Sequence, residues 1–106
     1  MKLVYSETCG NAKFPDDAML DVRIYAFYSI PKNATKKAVR SMIDKILRPT
    51  KKPDCDNIGK IVCDSLNNIA YKDDSQIVDL MVRKFYSENP RVVVTIKEAE
   101  TCRLQE

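Results

Sequence analysis

Two aspartates one residue apart, Asp54 and Asp56 in the stretch "KKPDCDNIGK", stand directly beside Lys51, Lys52 and Lys60. The chain contains no histidine, which removes every Ser-His and Cys-His mechanism and leaves carboxylates, lysines and a bound metal to carry any catalysis. Closely spaced carboxylates are hard oxygen donors suited to a divalent cation, and lysines neutralise phosphates. Together they are what hydrolysis of a phosphodiester requires. Each residue type also has a plain structural use: Asp56-Asn57 is a good helix cap, Asp73-Asp74 a polar turn, and Lys60 a solvent lysine one helical turn from Asp56.

The charge along the chain supports the phosphate reading. Residues 32–52 hold Lys32, Lys36, Lys37, Arg40, Lys45, Arg48, Lys51 and Lys52 against the one acid Asp44, a local charge of +7 in a chain whose net charge is +3. A basic block of this kind is commonly a solvated helix face. Next to a carboxylate cluster it becomes a candidate surface for Lys36, Lys37, Arg40, Lys51 and Lys52 to contact nucleic acid. The four cysteines, Cys9, Cys55, Cys63 and Cys102, form no CxxC pair, so neither a zinc site nor a disulfide framework is expected. No run of ~18 apolar residues and no signal-peptide core occurs, so the expected location is cytoplasmic, with no membrane span.

The elements that must position these residues follow from periodicity. At 106 residues, 44% hydrophobic and 31% charged, the chain is sized for one soluble domain. "MLDVRIYAFYSI" alternates Val22, Ile24, Ala26, Tyr28 and Ile30 against Arg23, Tyr25, Phe27 and Ser29, the pattern of a strand that Pro31 ends. Val39, Met42, Ile43, Ile46 and Leu47 then recur at helical spacing after Asn33, the expected N-cap. A second helix with Asp56 as its N-cap carries Ile58, Ile61, Val62, Leu66 and Ile69 as an apolar stripe, with Lys60, Asp64 and Asn67 on the polar face. "SQIVDLMVRKFY" and "RVVVTIKEAE" read as strands joined in a hairpin. The order strand, helix, helix, strand, strand predicts a small α+β domain of two layers, helices on one face of a sheet.

The Pro-Asp-x-Asp-Asn-x-x-Lys run at residues 53–60 is followed by Asp-Asp-Ser-Gln at residues 73–76. In these two motifs, in this order, the chain resembles the RusA family of Holliday junction resolvases. The likeness is best over residues 19–97 of a single domain spanning 1–106. It implies a homodimeric Mg²⁺-dependent endonuclease, with Mn²⁺ able to substitute, that resolves four-way DNA junctions by paired symmetric cuts in recombination and repair. Such genes commonly sit on phage-derived elements. Carried across residue by residue, the resemblance implies that Asp54, Asp56 and one of Asp73 and Asp74 bind the metal, with Asp74 preferred, and that Lys60 is the catalytic lysine. Family members open with a strand and a Gly/Pro/Lys/Arg-rich turn, and this chain is expected to lack both. The alternatives are a shortened DNA-binding fold that cuts nothing, and a small dimeric scaffold with structural acids. "RVVVTI" and the aromatic pair Tyr25/Phe27 are candidate dimer surfaces, and Tyr71 and Tyr25 candidate base-stacking residues.

Overall fold

The computed structural model describes residues 13–100 and the backbone of residues 2–7. Its elements are β1 (Lys2–Glu7), β2 (Leu20–Ser29), α1 (Lys36–Ile43), α2 (Cys55–Ser65), a 3-10 turn (Asp74–Gln76), β3 (Ile77–Ser87) and β4 (Arg91–Glu98). The architecture is α+β, as the periodicity predicts. A first strand is nevertheless present where none was expected. β1 runs parallel to β4, from Lys2 beside Arg91 to Glu7 beside Ile96. The expected lack of the basic turn after it concerns residues that lie outside the described ones, as do Cys9 and Cys102.

The four strands are ordered β1-β4-β2-β3. The expected hairpin between the last two strands does not form. β2 lies between them, parallel to β3 and antiparallel to β4. Ser87 pairs with Ser29 and Arg91 with Phe27, so residues 88–90 cross the end of β2 instead of turning back on β3. "SENP" lacks the Asn-Gly or Asp-Gly chemistry of a two-residue hairpin turn. Arg91 Nη1 donates to Asn89 O at 2.8 Å and braces the crossing. The near-continuous apolar run of β4 suits an interior strand, where Val94 and Ile96 are fully buried. That burial removes them from any dimer surface.

β2 supplies the centre of the core. Val22, Ile24 and Ala26 have no exposed surface, and Ile58, Val62 and Leu66 of the α2 region, at i, i+4 and i+8, pack in the same cluster. Ile61 and Ile69, expected on that stripe, are 64% exposed. Ile61 sits off its axis by the angle that separates i+3 from i+4, and Ile69 lies in the turn beyond the end of α2. A Cβ on Gly59 would stand in ordinary contact 3.4 Å from Leu80 and 3.5 Å from Val82, so this face of α2 lies against β3. Asn68 takes φ 64°, a conformation Asn tolerates. The chain there returns to Tyr71, whose fully buried hydroxyl donates to Cys63 O at 2.7 Å. Tyr71 is therefore a core residue and cannot meet a base.

Candidate active site along the second helix

The N-cap of α2 is Asp54, two residues earlier than expected, and its carboxylate accepts the Asn57 N–H at 3.0 Å. Asp56 sits exposed in the first turn, at the positive end of the helix dipole. Among the described residues its side chain has no hydrogen-bond or ion-pair partner. The approach to the helix is held by Tyr28, whose hydroxyl donates to Pro53 O at 2.9 Å. Burial pushes that hydroxyl's pKa up, and the charges of Cys55 and Asp54 add to the shift. Lys51 and Lys84 lie over the Tyr28 ring at 5.6 Å and 5.3 Å, which puts Lys51 beside the start of α2. Lys52 is exposed beside it.

Asp56, Lys60 and Asp64 recur at i, i+4 and i+8 and so share one face of α2. Lys60 lines a shallow cleft of about 260 Å³ with Gly59, Cys63, Asp74, Ile77 and Leu80. Asp74 is thus brought to the middle and far end of the helix. Its carboxyl is held above the usual carboxylate range by its partly buried position. The neighbouring carboxyls of Asp64 and Asp73 add to this. Cys63 on the cleft wall is pushed up as well, mainly by burial and then by Asp74.

Asp73 is turned to a different task. It caps the 3-10 turn, and its carboxylate accepts the Ser75 N–H at 3.0 Å, a bond that lowers its pKa. Gln76 completes the capping box. Its Oε1 accepts the N–H groups of Lys72 and Asp73, and its Nε2 donates to Pro15 O at 2.9 Å and Ala18 O at 3.1 Å. The Asp-Asp-Ser-Gln element therefore fastens the segment before β2 to the turn that presents Asp74. Asp64 and Gln76 are the residues that sequence reasoning left without a role. The signals for them were the i, i+4, i+8 spacing and the Asp-x-x-Gln capping pattern.

Asp54 and Asp74 are not gathered. From Asp54 to Asp64 the helix rises roughly 15 Å, and among the described residues no three His, Cys, Asp or Glu groups form a metal-sized cluster. What the chain brings near one another are Asp64 and Asp74, whose interaction helps raise the Asp74 pKa, on a strip that begins at Asp56. The donor chemistry of that pair fits Mg²⁺, which binds through one or two carboxylates and keeps several waters.

On α1 the N-cap is Thr35, not Asn33, and its Oγ1 accepts the Ala38 N–H at 3.1 Å. Lys36 and Lys37 are exposed in the first turn, and Arg40 pairs with Asp44 at 3.1 Å. Lys45 follows at φ 63° and ends the helix. Among the described residues no helix is long and apolar enough to cross a membrane.

The second helix thus carries carboxylates and a lysine over a mixed sheet, in a chain whose first helix is basic. The chain matches the family Endodeoxyribonuclease RusA over residues 1–97. It belongs to that family, whose members depend on a divalent metal and act on branched DNA. The match begins at residue 1, consistent with β1. The chain is also similar to the Bacillus subtilis (strain 168) protein named "Uncharacterized protein YqaN", 52% identical over 81 residues, which are 74% of this chain and 56% of that relative. The chain thus spans little more than half of that relative's length. No solved structure matches it.

Proposed function

We propose that the protein is a Mg²⁺-dependent endonuclease that cuts four-way DNA junctions in recombination and repair, working as a C₂ homodimer. The observation that carries this reading is the cleft that holds Asp74 beside Lys60, with Asp64 near enough to raise the Asp74 pKa, in a chain that belongs to a family of endodeoxyribonucleases. Two carboxylates near enough to repel one another are a poor arrangement for stability and a good one for holding a divalent ion. Asp74 and Asp64 would hold the metal at the far end of the strip, with Asp54 and Asp56 as the carboxylates at its start. When bound, Mg²⁺ supplies charge neutralisation at the phosphate and a more acidic water.

The residues themselves do the rest. Lys60 lies between the two acidic ends and would stabilise negative charge that develops on the phosphate oxygens. Lys51 and Lys52 at the helix start, with Lys36, Lys37 and Arg40 on α1, would hold the flanking strand. A junction has two-fold symmetry, so paired cuts need two copies related by the same axis. We place that axis at the free edge of β3. Val78 and Leu80 are exposed there, and Asp79 and Arg83 have no ion-pair partner among the described residues. Antiparallel pairing of two β3 edges about Met81 would set Asp79 opposite Arg83 of the second copy.

The test is a cleavage assay on a synthetic four-way junction with Mg²⁺, run beside a binding assay in EDTA. Asp56→Asn and Asp74→Asn are expected to abolish cleavage and to leave binding intact or tighter, because repulsion of the phosphates falls. Cleavage by Asp74→Asn at the wild-type rate would remove Asp74 from the metal site, and cleavage by Asp56→Asn at that rate would leave Asp56 no part in the reaction. A wild-type protein that binds junctions in EDTA and cuts none with Mg²⁺ or Mn²⁺ would be the non-cleaving form of the fold.

A further inference from the structure

The face of the sheet opposite α2 is not a plain solvent face. Tyr25 and Phe27 of β2 and Phe85 of β3 form a row, with Tyr25 and Phe85 rings 6.5 Å apart at 25° and Phe27 and Phe85 rings 5.8 Å apart at 28°. Arg91 lies over Phe27 at 4.1 Å, and Arg48 and Lys45 lie over Phe85 at 4.4 Å and 5.8 Å. Phe85 is buried, but Tyr25 and Phe27 keep part of their surface open. A cleft of about 280 Å³ opens beside them, lined by Phe27, Lys45 and Arg91 together with Ile43, Tyr86 and Glu88.

The cations on this face are held without acids. Arg91 donates to Asn89 O and Ser87 Oγ, and Arg48 Nε donates to Lys84 O at 2.9 Å. Neither they nor Lys45 has a carboxylate partner among the described residues. Their charge is therefore left for a ligand, while their positions are fixed by rings and backbone carbonyls. The cleft also continues the basic surface of α1, since Ile43 and Lys45 follow directly on Lys36, Lys37 and Arg40. Aromatic faces with guanidinium planes stacked on them, inside a field of uncompensated positive charge, are the composition that binds unstacked bases and their phosphates. Glu88 is the one acid on the lining, placed to accept a hydrogen bond from a base amino group.

We propose that this cleft receives an unstacked nucleotide of branched DNA, with its base against Phe27 and Arg91 and its phosphate at Lys45. The proposal rests on the nuclease reading for its choice of DNA, but it concerns the opposite face of the sheet from α2 and needs no metal. In a junction, the bases at the branch point are those most easily taken from the stack. The cleft therefore positions the branch, while the strip on α2 meets the strand to be cut.

The experiment measures binding in EDTA, where no cleavage occurs, to a four-way junction carrying 2-aminopurine at the branch and to a short oligo-dT. Phe27→Leu keeps the apolar volume and loses the ring. It is expected to weaken junction binding roughly tenfold, the size of one base stack removed, with the salt slope unchanged. The rise in 2-aminopurine fluorescence seen with the wild-type protein should also disappear. Lys45→Gln, on an exposed side chain, should leave the fluorescence rise and lower the log-log salt slope by about one. Wild-type affinity and wild-type fluorescence in Phe27→Leu, or an unchanged slope in Lys45→Gln, overturn the proposal. If Phe27→Leu loses its fold, the Lys45→Gln slope decides. A Phe27→Leu protein of half the wild-type mass by light scattering would make the face a contact between copies, and the proposal would fall. Oligo-dT binding that depends on Phe27, without junction binding, would keep the cleft and reject the junction-cutting reading. Binding to neither probe rejects both.

Discussion

The two helices of this small protein are built on opposite terms. α2, 11 residues long, starts on an aspartate cap, places Asp56 at the positive end of its dipole, and buries Ile58, Gly59, Val62 and Cys63. α1, 8 residues long, has no acid in its first turn and buries only Met42. It opens on Lys36 and Lys37, cations at the end of the dipole that repels them. Ile43, Ile46 and Leu47, which continue its apolar spacing, are 44%, 78% and 44% exposed. One helix is a stable base for side chains that must be placed accurately. The other gives up stability to concentrate positive charge on a surface.

That contrast should break first at the buried side of α2. Leu66, 4% exposed in the main core, replaced by alanine is expected to cost about 2–5 kcal/mol. Ile46→Ala beyond the end of α1 should stay within about 0.5 kcal/mol. Urea unfolding of both variants measures the difference. Equal losses would show that α1 packs as tightly as α2, and the division of labour would be wrong.

The cap of α2 separates structure from chemistry at a single atom pair. Asp54→Ala should cost about 1 kcal/mol of stability because the cap is removed, and Asp54→Asn a few tenths or less. Both should lose cleavage if the carboxylate at the helix start serves the metal. An Asp54→Asn protein with full stability and full cleavage would make Asp54 a cap and nothing more. On α1, replacing Lys36, Lys37 and Arg40 together by alanine should move stability by no more than about 0.5 kcal/mol, since the Arg40–Asp44 pair is exposed. Junction affinity should fall for every sequence, and its salt slope should flatten by about one for each phosphate that is no longer neutralised. Unchanged affinity and slope would make α1 an ordinary solvated helix.

How much of this was readable beforehand depended on whether the signal was local. The alternation in β2 and the stripe of Ile58, Val62 and Leu66 are local patterns, and both elements formed where they were expected. Partner choice between strands is not local. The placement of β2 between β3 and β4 is decided by which strand can be buried on both edges, and the turn at residues 88–90 only permits it. Caps moved by two residues because Asp54 and Asp56 are equally suited to the role by type, and Thr35 and Asn33 likewise. At the site, the Asp54/Asp56/Lys60 run and the Asp73-Asp74 pair were visible as motifs. Which aspartate meets Asp64 depends on the capping box that engages Asp73 and leaves Asp74 free. The aromatic face was visible only as the outward half of an alternating strand. The cations that cover it come from residues 45, 48 and 91, far apart in the chain.

The smallest expected effect is also the most specific, and it concerns the far end of α2. Because Asp74 is held above its ordinary carboxylate value by its partly buried position and by Asp64 and Asp73, the folded state keeps this proton more tightly than the unfolded chain. Its contribution is therefore fully present below the unfolded value, roughly pH 4. It is lost as pH rises from there through the raised folded value. Asp73, lowered by its bonds to Ser75, works the other way: it contributes above its unfolded value and loses that contribution as pH falls through the lowered one. Asp74→Asn removes only the first effect. In EDTA the melting temperature of this variant should exceed that of the wild-type protein at neutral pH and lose the decline on leaving pH 4, while the acid limb due to Asp73 remains. Millimolar Mn²⁺ should raise the neutral-pH melting temperature of the wild-type protein and leave Asp74→Asn where it was, since the ion neutralises the charge that Asp74 carries there. A wild-type melting temperature indifferent to both Mn²⁺ and the substitution would mean that Asp64 and Asp74 do not act as a pair. The helix would then carry its carboxylates independently, like any exposed polar face.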